Sequence, residues 1–406
     1  MDTQDGQSTA FKRNRIITVS LVTLCLIFQN LSLYGVAIFL PEIRKTFGLS
    51  FTEGGAISAA SILAYTIMQI PSGYLADRFG YKKIFVTGVL TTTVLCLAFG
   101  FTSTYWQAVT NQAFSGLFRA LLFAPGLALV TSWFSSDRRA TAMGLASSGL
   151  FLAQVFISGL GPPLAAGSSW HFPFIVFGAA GIVISLAFLW FGKGSPSPTA
   201  PQQKVDLREV FQLFRHKIMW LFGILQYVRF AIFQSIAIWL PSLLIEEKGV
   251  ALQVAGIIVA VRGLLTIPAN ILGGYVSDKT KSPIMVIAIS FIILAITTAL
   301  FVRVDNMVLL IAIIMVNAFF VQFYFGPMFA MPVEILGKRM AGTSTGFSNF
   351  FANLGSFTLV YLLGVLKDTS GSFESGFYAV AGLCIIGLIF TFILAKIRRK
   401  TAQTAV

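Results

Sequence analysis

Charge is what this sequence has least of. Asp, Glu, Lys and Arg make up 11% of the 406 residues, against about 25% in an ordinary soluble domain, which excludes a water-soluble globular fold. Histidine occurs only at His171 and His216; so wide a separation supports neither a histidine metal site nor a catalytic triad, and no metal, cofactor or enzymatic activity is expected. The three cysteines, Cys25, Cys96 and Cys384, are odd in number and lie inside apolar runs, which excludes a disulfide scaffold. No phosphate-cradling G-x-x-x-x-G-K-[ST] loop is present, so ATP-driven chemistry of that kind is excluded as well. Acidic residues are also scarce, leaving a net charge of +14. In a soluble protein that excess would point to nucleic acid. Here the basic residues are parcelled into short segments between apolar runs, the pattern of membrane topology, and no nucleic-acid partner is expected.

What is abundant is apolar: 56% hydrophobic residues, 40 of them Phe, and a mean hydropathy of +0.83. A helix needs roughly 20 such residues to cross about 30 Å of hydrocarbon. Twelve stretches qualify, near 16–41, 53–76, 83–102, 106–133, 140–164, 171–192, 218–244, 252–277, 283–302, 307–333, 341–366 and 374–397. All must be helices, because backbone amides facing lipid have to be satisfied within their own segment. The polar start, Met1 to Ala10, followed by Lys12, Arg13 and Arg15 and then a long apolar run, reads as a first span and not as a cleavable leader. With the N-terminus placed in the cytoplasm, 21 of the 29 Lys and Arg residues fall on the inner side and 5 on the outer. That asymmetry predicts cytoplasmic termini in a multi-pass protein of the cell membrane, with the lipid bilayer as its surroundings.

The longest connection, GKGSPSPTAPQQKVDLREVFQLFRHK, follows the sixth span and includes a possible amphipathic helix at Leu207–Phe214. It reads as a linker, 194–217, between an N-terminal six-helix bundle, 1–193, and a C-terminal one, 218–406. An internal repeat supports the division. At an offset near 200, AIFLPEI (Ala37 to Ile43) lies over AIWLPSL (Ala237 to Leu243), Gly48 over Gly249, Gly55 over Gly256, and Pro125 over Pro327. The Gly73, Tyr74, Asp77 pattern lies over Gly274, Tyr275, Asp278. Duplicated bundles that hold a ligand at the midplane are a common transporter architecture.

GYLADRFGYKK, Gly73 to Lys83, resembles the signature loop of the major facilitator superfamily, and GGYVSDKTKSP resembles a decayed second copy. The resemblance implies twelve helices in two six-helix bundles, a cavity lined by the first, fourth, seventh and tenth spans, and gating by Gly73, Asp77, Arg78, Gly80 and Asp278. In physical terms, Gly73 would permit close helix contact and Gly80 would turn the chain. The segments LPEI, MQIPSGYLADRFG, SGLGPPLAAGSSW and GVLKDTSGSF are similar to parts of the anion:cation symporter group. Many members of that group carry an Arg shortly before the Asn-Leu-Ser of the first span, where this chain has Phe28, Gln29 and Asn30.

Arg119, Arg229 and Arg262 each fall halfway along a predicted span, the fourth, seventh and eighth. An Arg at that depth costs roughly 2.5–3.5 kcal/mol even on the translocon scale. None of the 15 acidic residues falls at mid-depth. Arginines so placed suit an anion, which the guanidinium fork binds in bidentate fashion. Gln29, Asn30, Tyr34, Gln112, Gln226, Tyr227, Gln322, Tyr324, Asn349 and Asn353 supply neutral polar groups for orienting a small ligand or for helix packing. The chain is therefore expected to act, as a monomer, as a secondary transporter of a small organic anion, a mono- or dicarboxylate, with phosphate or sulfonate esters second. A multidrug exporter is disfavoured because such carriers generally hold a membrane-embedded acid. Coupling stays open between proton symport, with Glu334 or Asp77 holding the proton, and exchange against a counter-anion.

Overall fold

The computed structural model of the chain describes residues 2–134, 139–194, 217–328 and 341–404. Within these, the side chains of 2–10, 70, 77, 139–148, 150–151, 217–218, 341–346 and 398–404 are not described. The helix expected at Leu207–Phe214, Glu334 and the Asp77 side chain thus lie outside the described residues.

Every regular element among the described residues is helical. Among the described residues ten helices are long and apolar enough to cross a bilayer, or eleven if Leu40–Phe47 and Phe51–Gln69, bent by 119°, are counted as one span. The shorter apolar helix Leu152–Ala165 falls where the fifth span is expected. Helix starts follow local chemistry. Thr104 accepts from the Gln107 N–H ahead of Tyr105–Arg119, and Asn306 accepts from the Leu309 N–H ahead of Met307–Phe323. Ser50 and Glu53 form a reciprocal capping box, each side chain accepting the other's backbone N–H, at 2.9 and 3.1 Å.

Two spans expected to be continuous are broken. The fourth runs as Tyr105–Arg119 and then Phe123–Thr131. The helix Met307–Phe323 of the tenth ends at Tyr324 (φ −95°, ψ 6°). Both breaks lie just before a repeat-related proline, Pro125 or Pro327. Each proline lacks the N–H that would bond the carbonyl four residues back, and its ring crowds that carbonyl. The first span is interrupted as well, at Asn30 and Phe39.

The repeat extends to the backbone. Gly48 and Gly249 stand at φ 66° and 65°, and Gly80 and Lys281 at φ 90° and 51°. Left-handed values of this kind suit glycine, and they close the turns after Leu40–Phe47 and Leu243–Glu247 and end spans two and eight at equivalent points.

The chain divides into two compact units, Met1–Glu42 with Ala60–Lys204, and Ile43–Ala59 with Val205–Val406. Residues 43–59, counted by sequence with the first bundle, thus pack with the second. In the first unit the first span packs on the fifth and the third on the sixth; in the second unit the seventh packs on the eleventh and the ninth on the twelfth. Apolar cores fill the centres. Val22, Cys25, Leu26, Phe85, Leu122 and Phe188 form one cluster, and Trp239, fully buried, donates its indole N–H to the Val360 carbonyl at 2.9 Å. All three cysteines are buried.

Among the described residues the expected close contact at Gly73 is not found, since a Cβ there would meet nothing within 4 Å. The tightest crossings among the described residues are at Gly116 and Gly273. A Cβ at Gly116 would lie 2.0 Å from the Ser61 carbonyl oxygen, and one at Gly273 would lie 1.5 Å from that of Phe323.

Candidate functional site

In the first unit the break in the fourth span sets the position of its arginine. Arg119 is the last residue of Tyr105–Arg119 and is buried, at 4% exposure. A cation there meets the partial negative charge of the helix C-terminus, which offsets part of the cost of burial. Its Nη1 donates to Asn30 Oδ1 at 3.1 Å, its guanidinium lies 4.8 Å from the centroid of the Tyr65 ring, and the Tyr34 and Tyr65 phenols are within electrostatic reach. Gln29 Nε2 donates to the Arg119 carbonyl at 3.4 Å. Two turns earlier on the same face, Gln112 Nε2 donates to Ser32 Oγ at 2.6 Å. The first and fourth spans are thus joined by amides and one guanidinium. Among the described residues no carboxylate contacts Arg119.

Hydrogen bonding around this cluster is incomplete. Arg119 Nε, Gln29 Oε1 and Gln112 Oε1 are buried and have no partner among the described residues. Each such group left unmet costs about 1–3 kcal/mol. The set combines a cationic donor with two amide acceptors, which matches a ligand carrying both an anionic oxygen and hydroxyl donors.

In the second unit Arg229, in Lys217–Ser242, donates from Nε to Gln226 Oε1 at 2.7 Å, and its guanidinium lies 4.9 Å from the Phe325 ring centroid. Tyr324, fully buried at the break of the tenth span, packs its ring 5.1 Å from that of Phe291 and lies within electrostatic reach of Arg229. Arg262, fully buried in Leu252–Thr280, stands 5.9 Å from the Phe233 ring centroid. Gln226 Nε2, Gln322 Oε1 and the Tyr324 hydroxyl have no hydrogen-bond partner among the described residues.

Other expected ligand-facing groups are occupied by helix packing. The Tyr227 hydroxyl bonds Thr358 Oγ1 at 2.5 Å, tying the seventh span to the eleventh, and Asn353 donates to the Asn349 carbonyl one turn back at 2.8 Å. Of the gating residues, Gly80 holds its positive φ, Arg78 is exposed and donates to the Tyr74 hydroxyl at 3.3 Å, and Asp278 is exposed. Tyr65 and Ser32 escaped the sequence reading. The signal for Tyr65 was available: Tyr65 and Gln69 are larger polar residues one helical turn apart in a run that is mostly apolar.

Paired helical bundles, broken spans at matching points of a repeat and buried cationic and amide groups at those breaks define a secondary transporter. The chain belongs to the Major Facilitator Superfamily, whose sequence profile matches residues 22–360. It is 25% identical to the D-galactonate transporter of Escherichia coli O6:H1, over 95% of this chain and 97% of that one. It is 27% identical to a probable galactarate/D-glucarate transporter of Bacillus subtilis, over 87% of this chain and 85% of that one. In fold it is similar to a bacterial homologue of the human lysosomal transporter Spinster, with a TM-score of 0.80, 17% identity, and coverage of 94% and 97% of the two chains. The protein is a multi-pass membrane transporter and not an enzyme, and these two sequence relatives carry organic anions.

Proposed function

We propose that the chain carries a small hydroxylated carboxylate across the membrane by alternating access, with Arg119 receiving the carboxylate. The observation that supports this most directly is the buried Arg119 Nε, a cationic donor without a partner among the described residues, beside acceptors of Gln29 and Gln112 that likewise have none there. A carboxylate satisfies the donor, and hydroxyls satisfy the acceptors. The relatives named for galactonate and for galactarate and glucarate carry ligands of that chemistry. Arg229 and Arg262, with Gln226, Gln322 and Tyr324, are proposed as a second group of anion-recognising residues within the second unit. The chain is proposed to work as a monomer in a bacterial inner membrane with both termini cytoplasmic, in keeping with its Lys and Arg asymmetry.

Proton symport is the proposed coupling, with Glu334 or Asp77 as the proton site. Exchange is the second reading, favoured by the lack of any acidic residue at mid-span in the sequence, since an Arg cannot release its proton at working pH. Purified protein in liposomes tests the whole reading. A thermal-shift panel of carboxylates, phosphates and sulfonates identifies the anion, and its uptake is then compared with and without an inward proton gradient and with and without preloaded substrate. Acceleration by the gradient in empty vesicles supports symport; acceleration by preloading alone establishes exchange. Full uptake by Arg119→Ala would remove Arg119 from the site.

A further inference from the structure

Two lysines converge where the third span begins and the sixth ends, the ends that the Lys and Arg asymmetry puts on the cytoplasmic side. Lys82, in the first turn of Tyr81–Phe99, donates from Nζ to the Leu189 carbonyl at 3.3 Å. Leu189 lies in the last turn of His171–Phe191, and Lys193 follows just beyond that helix. The Lys193 backbone N–H donates to Thr18 Oγ1 of the first span at 3.0 Å, which fixes where its exposed side chain starts. The two ammonium groups lie within electrostatic reach of each other. None of the ion pairs found among the described residues, Arg44 with Glu246, Lys248 with Asp305 and Lys367 with Glu247, involves either lysine.

Membrane topology alone does not ask for this arrangement. It requires only that basic residues lie on the inner side, and two like charges with water at hand would spread apart. Lys82 is instead partly buried and turned along the protein toward a second cation. The carbonyl at the end of the sixth span offsets part of the cost, but it is not a counter-ion. The internal repeat does not explain the pair either, because position 283, which matches 82 at the offset of Gly73 and Gly274, is a proline. The surrounding surface is that of a membrane boundary. Trp190 and Phe191, 69% and 61% exposed, follow Leu189 directly, and aromatic residues so placed settle at headgroup level.

We infer that Lys82 and Lys193 form a site for an anionic phospholipid of the inner leaflet, with its phosphodiester between the two ammonium groups and its chains in the bilayer beside Trp190 and Phe191. Such a lipid supplies the negative charge that both lysines lack, at the depth where the aromatic pair sits, and basic pockets between spans on this side are suited to anionic headgroups. A zwitterionic lipid would carry its own ammonium up to two lysines, so the chemistry of phosphatidylglycerol is matched and that of phosphatidylcholine is not. Free phosphate has no chains to lie beside the aromatic residues. All of these groups belong to the first unit, and the site does not depend on which anion is carried.

Full-length protein in detergent is titrated with phosphatidylglycerol or phosphatidylcholine, and bound lipid is counted by native mass spectrometry. Phosphatidylglycerol should bind more tightly. Lys82→Gln and Lys193→Gln should each weaken it roughly fivefold, the loss expected for one Lys beside an anionic headgroup. Lys82→Arg and Lys193→Arg keep the charge and should bind close to the unaltered protein. Lys396→Gln removes an exposed lysine from the twelfth span; it controls for general attraction and should change little. Size-exclusion profiles confirm that each variant is folded, and either glutamine variant gives the readout if the other fails to fold. Equal binding of the two lipids, affinity unchanged in both glutamine variants, or an equal loss in Lys396→Gln would overturn the site. Displacement of phosphatidylglycerol by an equimolar amount of inorganic phosphate would overturn it as well, leaving a phosphate site in place of a lipid one.

Discussion

Asn30 and Arg119 meet at 3.1 Å, and each stands at a break in its own helix. The interrupted backbone turns the Asn30 amide oxygen toward the guanidinium, and the end of the helix lets the Arg119 carbonyl accept from Gln29 at 3.4 Å. Among the described residues the arginine is held by neutral groups alone, which leaves its charge available.

Putting a carboxylate at position 30 should remove that availability. Asn30→Asp places a fixed counter-ion on Arg119, and anion affinity is expected to fall roughly tenfold or more, as opposed charges a few ångströms apart interact strongly where water is excluded. Asn30→Ala should cost less, because it removes one hydrogen bond without adding a competitor. Isothermal titration with the anion found by the panel checks the order; equal losses would show that Asn30 acts only on packing.

Hydroxyl recognition is tested at the two glutamines. The unaltered protein should bind gluconate more tightly than hexanoate, a carboxylate of equal chain length without hydroxyls. Gln29→Leu and Gln112→Leu should each reduce that preference roughly tenfold, since an unmet buried acceptor is what penalises the deoxy ligand. Hexanoate binding itself should change little. A preference ratio left intact in both variants would remove these amides from ligand recognition.

Helix crossing is tested at glycine. Gly116→Ala and Gly273→Ala push a Cβ into backbone carbonyl oxygens that stand 2.0 and 1.5 Å from its ideal position, and loss of monodisperse folded protein is expected from both. Gly73→Ala meets nothing within 4 Å and gains helix propensity, so its yield and melting temperature should be kept. Yields in detergent, read by size-exclusion, separate the two classes.

For the signature loop, Asp77→Asn should slow turnover more than it weakens equilibrium binding, because position 77 lies near the end of Phe51–Phe79, whereas Arg119 falls halfway along its predicted span. Equal losses in rate and affinity would place Asp77 in ligand contact.

Hydropathy, Lys and Arg placement and the repeat made the helices, their number and the two-part architecture legible in the sequence, because the exclusion of charge from hydrocarbon acts on each segment separately. Pro125 and Pro327 were visible as a repeat pair, and their missing N–H groups account for breaks that a hydropathy window averages away. Arg119 was likewise evident, since a charge inside an apolar run needs no neighbour to be noticed. Tertiary structure alone decided that Asn30 and Tyr65 face Arg119, that Tyr227 and Asn353 are occupied by helix packing, that Gly116 and Gly273 rather than Gly73 carry the close crossings, and that residues 43–59 belong to the second unit. These facts depend on how each helix is rotated and where it crosses another, which is set by contacts between residues far apart in the chain; a one-dimensional pattern records that a face is apolar but not which partner it meets.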